Sequence, residues 1–155
     1  MVERLNYRRA SPGGAKAFGA VHTYVSQCGL EPILVDLVYL RVSQINGCAY
    51  CIDMHTRDLS KNGVKIEKIV LTQVWHEAGE LFSARERAAL AWAESVTQVA
   101  QSGVPDEDFN AAIAVFSEKE LTDLTMAVGL MNAYNRLAIS FRNTPEAALT
   151  AHSAG

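Results

Sequence analysis

The residues of this chain with the clearest chemical potential lie between Cys48 and His55. On a helix, Cys48 and Cys51 are three positions apart and Cys51 and His55 are four apart, so all three project to one side. Gly47 stops the preceding helix, which places Cys48 in the first turn of the next one. There the free N–H groups and the helix dipole stabilise a thiolate, and a nearby imidazole can lower a thiol pKa or take its proton. The segment therefore holds a nucleophile, a thiol able to close a disulfide with it, and a base.

Two other interpretations of the cysteine pair stay open from the residues alone. A C-x-x-C can be purely structural, because cysteine side chains are often buried. Zinc is the other alternative, but Cys48, Cys51 and His55 supply only three ligands and a structural site takes four. The other candidate ligands are scattered along the chain: Cys28, His22, His76 and His152. A thioredoxin-type site would follow a strand in a β/α pattern, which this sequence does not show.

The elements that must position these residues are helices, because no strong strand alternation is present and caps and stop signals bound the periodic segments. Two capping boxes begin at Ser83 and Ser117. Helices are predicted over about 12–27, 31–47, 48–61, 65–77, 83–101, from 105, and from 117 to about 142. Asn135 and Arg136 lie inside the otherwise apolar last helix and are interpreted as structural hydrogen-bonding or interface residues. We expect an all-α bundle of six to seven helices in one domain, residues 1–145, and a disordered tail, residues 146–155.

Composition excludes several function classes. The chain has 155 residues, 49% of them apolar and 20% charged, as expected for one globular domain. Its 14 basic and 17 acidic residues give a net charge of −3, which disfavours nonspecific binding to nucleic acid or to an anionic membrane. No run approaches the roughly 20 apolar residues of a spanning helix, and no secretory signal is visible. Three cysteines do not form a disulfide scaffold, so we expect a cytoplasmic protein.

The run LRVSQINGCAYCIDMH, residues 40–55, resembles the alkylhydroperoxidase D-like branch of the carboxymuconolactone decarboxylase family. The segments 86–94 and 132–139 are similar to the same branch, and the resemblance spans about residues 5–145. It implies an all-α fold that assembles into homo-oligomers, as trimers or hexamers. It also implies an antioxidant, thiol-dependent peroxidase that acts on a small hydroperoxide and needs no bound cofactor or metal.

The resemblance also implies roles for individual residues. In the family scheme the second cysteine attacks the peroxide and the first resolves it, so Cys51 is the implied nucleophile and Cys48 the implied resolving thiol. Cys51 becomes a sulfenic acid, Cys48 condenses with it to a disulfide, and an external dithiol such as a lipoyl group, or a reductant protein, restores both thiols. His55 belongs to the implied proton relay. Its implied partner is the residue twelve positions before the first cysteine, a glutamate in the family and Asp36 here.

Two positions depart from the family pattern. Asp36 is one methylene shorter than the glutamate, which predicts either a water-bridged contact with His55 or none. Tyr50 stands between the cysteines where well-known peroxidases of the family carry a histidine, and a phenol with its usual pKa of about 10 is a poor base near neutral pH. The resemblance makes a peroxidase the main hypothesis. Because of the two departures, the alternative is a redox sensor or structural oligomer without turnover. A lactone decarboxylase is less favoured, because such family members typically lack the cysteine pair.

Overall fold

The computed structural model describes residues 2–151, and every regular element within that range is helical. The α-helices are α1 (Tyr7–Ala10), α2 (Pro12–Gln27), α3 (Pro32–Asn46), α4 (Ala49–Lys61), α5 (Ile66–Leu71), α6 (Ala84–Thr97), α7 (Val99–Ser102), α8 (Asp106–Ile113), α9 (Glu118–Phe141) and α10 (Glu146–Ala151). Two 3₁₀ segments, Thr72–Glu77 and Gly79–Leu81, connect α5 to α6. The predicted all-α fold is confirmed, and no helix in the described range is long and apolar enough to cross a membrane.

Both capping boxes form as predicted. The hydroxyl of Ser83 accepts the N–H of Glu86, and the Glu86 carboxylate accepts the N–H of Ser83. Ser117 and Glu120 make the same reciprocal pair at the start of α9. These local bonds satisfy N–H groups that a helix start leaves free, which is why a four-residue pattern predicts the boundary.

The structure departs from the sequence prediction in three short segments. The helix predicted over 65–77 changes to 3₁₀ geometry after Leu71, and Val74 inside that segment has a non-helical φ of −128°. The helix predicted over 83–101 is divided at Gln98, which has φ −96° and ψ 28°. The short helix α1 lies outside the predicted helices, and α7 is the second part of the divided one.

Part of the predicted disordered tail is also helical. Residues 146–151 form α10, in which the N–H of Ala147 donates to the Asp53 carboxylate at 3.3 Å and Glu146 pairs with Arg57. These partners lie on α4, more than 80 residues earlier, so the local sequence pattern does not reveal them. The remaining tail residues, 152–155, lie outside the described residues.

Helix α3 forms the centre of the bundle and packs against α4, α6 and α9. Because it is covered on several sides, its burial is wider than the single apolar stripe of its sequence. Arg41, which interrupts that stripe, is paired: its Nε donates to Oε1 of Glu94 at 2.7 Å, and the indole of Trp75 donates to the same oxygen at 2.7 Å. A charged side chain beside the core is tolerated here because its partner is in place.

The connection from α3 to α4 is only two residues long, Gly47 and Cys48. Gly47 has φ 68° and ψ 33°, a left-handed conformation that glycine adopts without steric cost. The N–H of Cys48 then donates to the carbonyl of Ser43 at 2.9 Å. This tight turn fixes Cys48 against the end of α3 and makes it the N-cap residue of α4.

Candidate active site

The two cysteines of the C-x-x-C motif meet at the start of α4. Both are free thiols and both are buried, with 1% of Cys48 and 2% of Cys51 exposed. Their sulfur atoms lie 2.6 Å apart, and Sγ of Cys48 also accepts the backbone N–H of Cys51 at 3.4 Å. The predicted position at a helix N-terminus is therefore observed, and the sulfurs are close enough for a direct S–S bond to form between them.

The negative charge of the pair is favoured on Cys48. The hydrogen bond from the Cys51 thiol lowers the pKa of Cys48 to about 7, and the Cys51 N–H, the Asn135 side chain and the Tyr50 N–H act in the same direction against burial. The same sulfur-to-sulfur bond, together with burial, raises the pKa of Cys51. The first proton to leave the pair is therefore that of Cys48, and the remaining proton stays on Cys51.

The cavity beside the pair is bordered by Cys51 and not by Cys48. A cavity of about 240 Å³ is lined by Cys51 and His55, whereas Cys48 does not contribute to its wall. Tyr50, half-buried between the cysteines, and Met54, one turn further along α4, line the same space. Of the two cysteines, Cys51 therefore borders the cavity, whereas the negative charge is favoured on Cys48.

His55 is buried with no partner for either ring nitrogen among the described residues. Only 4% of the residue is exposed, and its Nδ1 lies 3.8 Å from Oδ1 of Asp36, too far for a direct hydrogen bond. The predicted pair is thus brought together without touching, as expected for an aspartate in place of a glutamate. Buried polar groups are nearly always satisfied, so unpaired ring nitrogens at a cavity indicate a place for a ligand, water or a proton in transfer.

Tyr39 is a neighbour of His55 that the sequence pattern did not reveal. Its ring centroid lies 5.2 Å from that of His55, and its buried hydroxyl has no partner within the described part of the chain. Burial raises the pKa of this phenol, so it remains a hydrogen-bond donor. Tyr39 and Asp36 line a second cavity, of about 470 Å³, and His22 lines both cavities. His55 therefore borders the first cavity, and its α3 neighbours Asp36 and Tyr39 border the second.

A buried hydrogen-bond network of Asn135, Ser43 and Asn46 lies beside the thiols. Asn135 on α9 is fully buried; its Nδ2 donates to Oγ of Ser43 at 3.0 Å, and its Oδ1 accepts from Asn46 at 2.9 Å. Its side chain lowers the pKa of both cysteines, and Ser43 acts in the same direction on Cys51. Asn135 is thus a structural hydrogen-bonding residue, as interpreted from the sequence, that also contacts the thiol pair.

A sequence signal for this support exists on α3. Polar residues recur there at positions i, i+3, i+7 and i+10: Asp36, Tyr39, Ser43 and Asn46. That spacing lies along one helix face. From the sequence only Asp36 of these four is predicted to be functional, because the apolar stripe on another face of the same helix is the stronger pattern.

The charge distribution predicts a measurable titration. In a Cys28→Ser background, thiolate absorbance at 240 nm should rise with pH through a midpoint of about 7, one thiol per chain, while the second thiol stays protonated to much higher pH. Asn135→Leu removes a donor to the sulfurs and should move this midpoint upward, by about one pH unit.

Asn132→Leu is the matched control for that titration. Asn132 accepts from the same Asn46 amide and from Arg136, and its own amide donates to Thr97 and to the carbonyl of Val128. It should weaken the network without moving the midpoint. A single midpoint near the usual thiol value of about 8.5 in the parent protein would contradict the assignment of charge to Cys48.

Among residues 2–151, no three His, Cys, Asp or Glu side chains are placed to hold a metal ion together. The zinc interpretation of the motif therefore receives no fourth ligand from this part of the chain. The groups that the structure brings together are two adjacent thiols, one of them at a cavity wall, and a buried imidazole.

The region that holds these residues is similar in sequence to known proteins. The sequence model of the carboxymuconolactone decarboxylase family matches residues 12–95. The chain is 34% identical to the uncharacterised protein YdfG of Bacillus subtilis, over 92% of this chain and 97% of the relative. It is also 46% identical to the alkyl hydroperoxide reductase AhpD of Hyphomonas neptunium over a short stretch of 41 residues, 26% of this chain and 23% of that one.

A solved structure agrees over nearly the whole chain. It is that of a protein of unknown function from Agrobacterium tumefaciens, suggested to be an antioxidant defence protein of the AhpD type. The two share 40% identity and a TM-score of 0.89, covering 93% of this chain and 98% of the other. Asp36, both motif cysteines and His55 all fall inside the range matched by the family model.

Proposed function

The chain belongs to the carboxymuconolactone decarboxylase family, and from that premise we propose that it is a thiol-dependent peroxidase of the alkylhydroperoxidase type. The observation that carries the proposal is a pair of free thiols 2.6 Å apart, of which only Cys51 reaches a cavity shared with a buried imidazole. Fold alone does not determine chemistry, so the two thiols and the imidazole carry the proposal.

In the first step the sulfur of Cys51 attacks the outer oxygen of a hydroperoxide, ROOH. The O–O bond breaks, the sulfur gains OH as a sulfenic acid, and RO leaves as the alkoxide. The proton of the Cys51 thiol passes to the Cys48 thiolate, and His55, when protonated, gives its proton to the alkoxide, which leaves as ROH. The cysteine is oxidised by two electrons and the peroxide is reduced by two.

In the second step Cys48 attacks the sulfenic sulfur of Cys51. The S–S bond forms, hydroxide leaves, and the proton of the Cys48 thiol neutralises it to water. An external dithiol, for which a lipoyl group is the expected type, then reduces the disulfide by exchange at the accessible sulfur, Cys51. Both thiols are restored and the reductant becomes a disulfide. No step requires a bound cofactor or metal.

His55 is the proposed proton carrier, with Asp36 in the relay. We expect His55→Gln, which keeps a polar side chain of similar length, to lower kcat/KM for cumene hydroperoxide about a hundredfold at neutral pH, as loss of a positioned acid or base does. His76→Gln is the control, because His76 stacks on Trp75 and does not line the cavity. Equal rates in the two variants would remove His55 from the mechanism.

The gap of 3.8 Å between Asp36 and His55 predicts a variant with a higher kcat/KM than the parent protein. Asp36→Glu adds the methylene that separates this chain from the family pattern and brings a carboxylate oxygen within reach of Nδ1. We expect kcat/KM to rise roughly two- to fivefold, because a hydrogen-bonded carboxylate orients the ring and supports its charged form. Steady-state kinetics of Asp36→Glu beside Asp36→Asn measures this. A lower kcat/KM in both variants would show that the distance between the carboxylate and His55 does not limit the rate.

Steady-state turnover tests the proposed function itself. With excess cumene hydroperoxide and dihydrolipoamide, a peroxidase consumes many equivalents of both per chain. A redox sensor forms its disulfide once and shows no sustained consumption, so that result would replace the proposal with the sensor alternative.

We further propose a cytoplasmic homo-oligomer, a trimer or hexamer, without nucleic-acid or membrane partners. Sedimentation of the native protein measures the assembly.

A further inference from the structure

We propose that the substrate of this site is a small amphipathic hydroperoxide that carries a carboxylate, with Arg8 as the residue that binds the carboxylate. This inference rests on the proposed peroxidase function, since it concerns the cavity at Cys51. It names the chemical class of the oxidant that the cavity accepts.

The charge of the cavity wall is the first observation. Arg8, His22 and His55 contribute to the wall, and within the described residues no Asp or Glu does. This is unexpected in a chain with a net charge of −3. A space lined by basic groups without acidic ones attracts anions.

Arg8 is the permanent charge among these groups, and no carboxylate of the described residues pairs with it. Arg41, Arg57 and Arg85 form ion pairs with acidic side chains, whereas Arg8, like the remaining arginines, forms none within the described residues. Arg8 donates a weak bond from Nε to the hydroxyl of Tyr7 at 3.4 Å, and its guanidinium lies over the Tyr7 ring, 5.7 Å from the ring centroid. Its guanidinium fork is therefore available to a ligand carboxylate, the group whose geometry it matches.

The position of Arg8 is fixed by the end of α9. The N–H of Arg4 donates to the carbonyl of Phe141 at 3.0 Å, and the ring of Tyr7 stacks on Phe141 with centroids 6.1 Å apart. Asn6 caps α1 by accepting the N–H of Arg9. These contacts place Arg8 in the wall of the cavity, and Arg8 also lines a neighbouring pocket of about 300 Å³ whose wall includes Glu3.

The rest of the wall suits an apolar body. Tyr7, Tyr50 and Tyr134 contribute aromatic rings, and Met54 and Met131 contribute flexible thioethers. Aromatic and thioether groups pack well against a ring or a branched alkyl group. The volume of about 240 Å³ limits that body to a small one. A hydroperoxide on one end and a carboxylate on the other would join Cys51 to Arg8 across this space.

The test compares two oxidants that differ in charge and by one methyl group: 4-(2-hydroperoxypropan-2-yl)benzoate and its methyl ester, with uncharged dithiothreitol as reductant. We expect kcat/KM to be about fivefold higher for the carboxylate at low salt, and the preference to shrink at high salt because Arg8 is exposed. In Arg8→Gln the ratio should fall to about one, and Arg8→Lys should retain part of it. Because the ratio is taken within each variant, a loss of folded protein cancels.

Arg9→Gln is the matched control. Arg9 is the next residue of the same short helix, is exposed and does not line the cavity, so its ratio should equal that of the parent protein. A parent ratio of one or less, or a ratio that survives in Arg8→Gln, would overturn the inference and leave the peroxidase in place. No turnover of either oxidant would instead overturn the proposed function.

The same carboxylate chemistry can come from the reductant, and a second arm separates the two sources. With the methyl ester as oxidant, dihydrolipoate is compared with uncharged dihydrolipoamide. We expect no more than a small difference. A clear preference for dihydrolipoate, without one for the charged hydroperoxide, would overturn the assignment of Arg8 to the oxidant.

Discussion

The Cys51→Ser variant is expected to lose hydroperoxide consumption, with kcat/KM falling by roughly a thousandfold or more. Cys51 is the sulfur at the cavity wall, and its neighbour Cys48 does not line that space. Serine keeps the size and the hydrogen bond but replaces a strong nucleophile by a weak one. The measurement is cumene hydroperoxide consumption by purified variant with dihydrolipoamide in excess.

Cys28→Ser is the control for that loss. Cys28 is half-buried at the end of α2, where its thiol lies 3.0 Å from the carbonyl of Val25, and it does not line the cavity. Its removal should leave turnover at the parent rate. Strong residual activity in Cys51→Ser, with a sulfenic acid trapped by dimedone on Cys48, would show that the charged sulfur attacks directly.

The Cys48→Ser variant is expected to complete one reaction and then stop. Cys51 still reaches the peroxide, so about one equivalent of alcohol should appear, more slowly than in the parent because the thiolate that receives the Cys51 proton is missing. No second thiol lies at 2.6 Å to close the disulfide, so Cys51 remains a sulfenic acid. Steady-state consumption should fall by about a hundredfold or more.

Rapid-mixing kinetics with dimedone trapping checks this second prediction. The label should map to Cys51 in Cys48→Ser and should be absent in the parent, where the disulfide forms first. Sustained turnover at the parent rate in Cys48→Ser would mean that an external thiol resolves the intermediate, and the role of Cys48 would then be electrostatic only.

The predicted helices succeed where their signals are local. Ser83 and Ser117 bond to N–H groups three residues away, and Gly47 adopts the left-handed conformation that ends α3. The departures occur where distant contacts decide, as at α10, which is held by Asp53 and Arg57 of α4. A pattern read along the chain contains the first kind of information and lacks the second.

The candidate site divides in the same way. The shared side of Cys48, Cys51 and His55 follows from helical spacing alone, and the position of Asp36 follows from the family resemblance. Asn135 bonds Ser43 from 92 positions away, and Arg8 reaches the cavity on a helix attached to the end of α9, so neither contribution is visible in a local motif.

The division of roles between the cysteines is also a property of three-dimensional structure. Spacing predicts that a thiolate is stabilised at the start of α4, and the resemblance assigns attack to Cys51. The hydrogen bonds place the charge on Cys48, while the cavity reaches Cys51. In the proposed mechanism these observations are compatible, because the sulfur that holds the charge receives the proton that the attacking sulfur gives up.

Stoichiometric oxidation of the reduced protein tests the central claim most directly. Reduced protein is mixed with one equivalent of cumene hydroperoxide, the alcohol is quantified, and the cysteines are mapped by mass spectrometry. The account predicts one equivalent of alcohol, one Cys48–Cys51 disulfide per chain and recovery of both thiols with dihydrolipoamide. Hydroperoxide left unconsumed beside two free thiols, or alcohol formed without that disulfide, would contradict it.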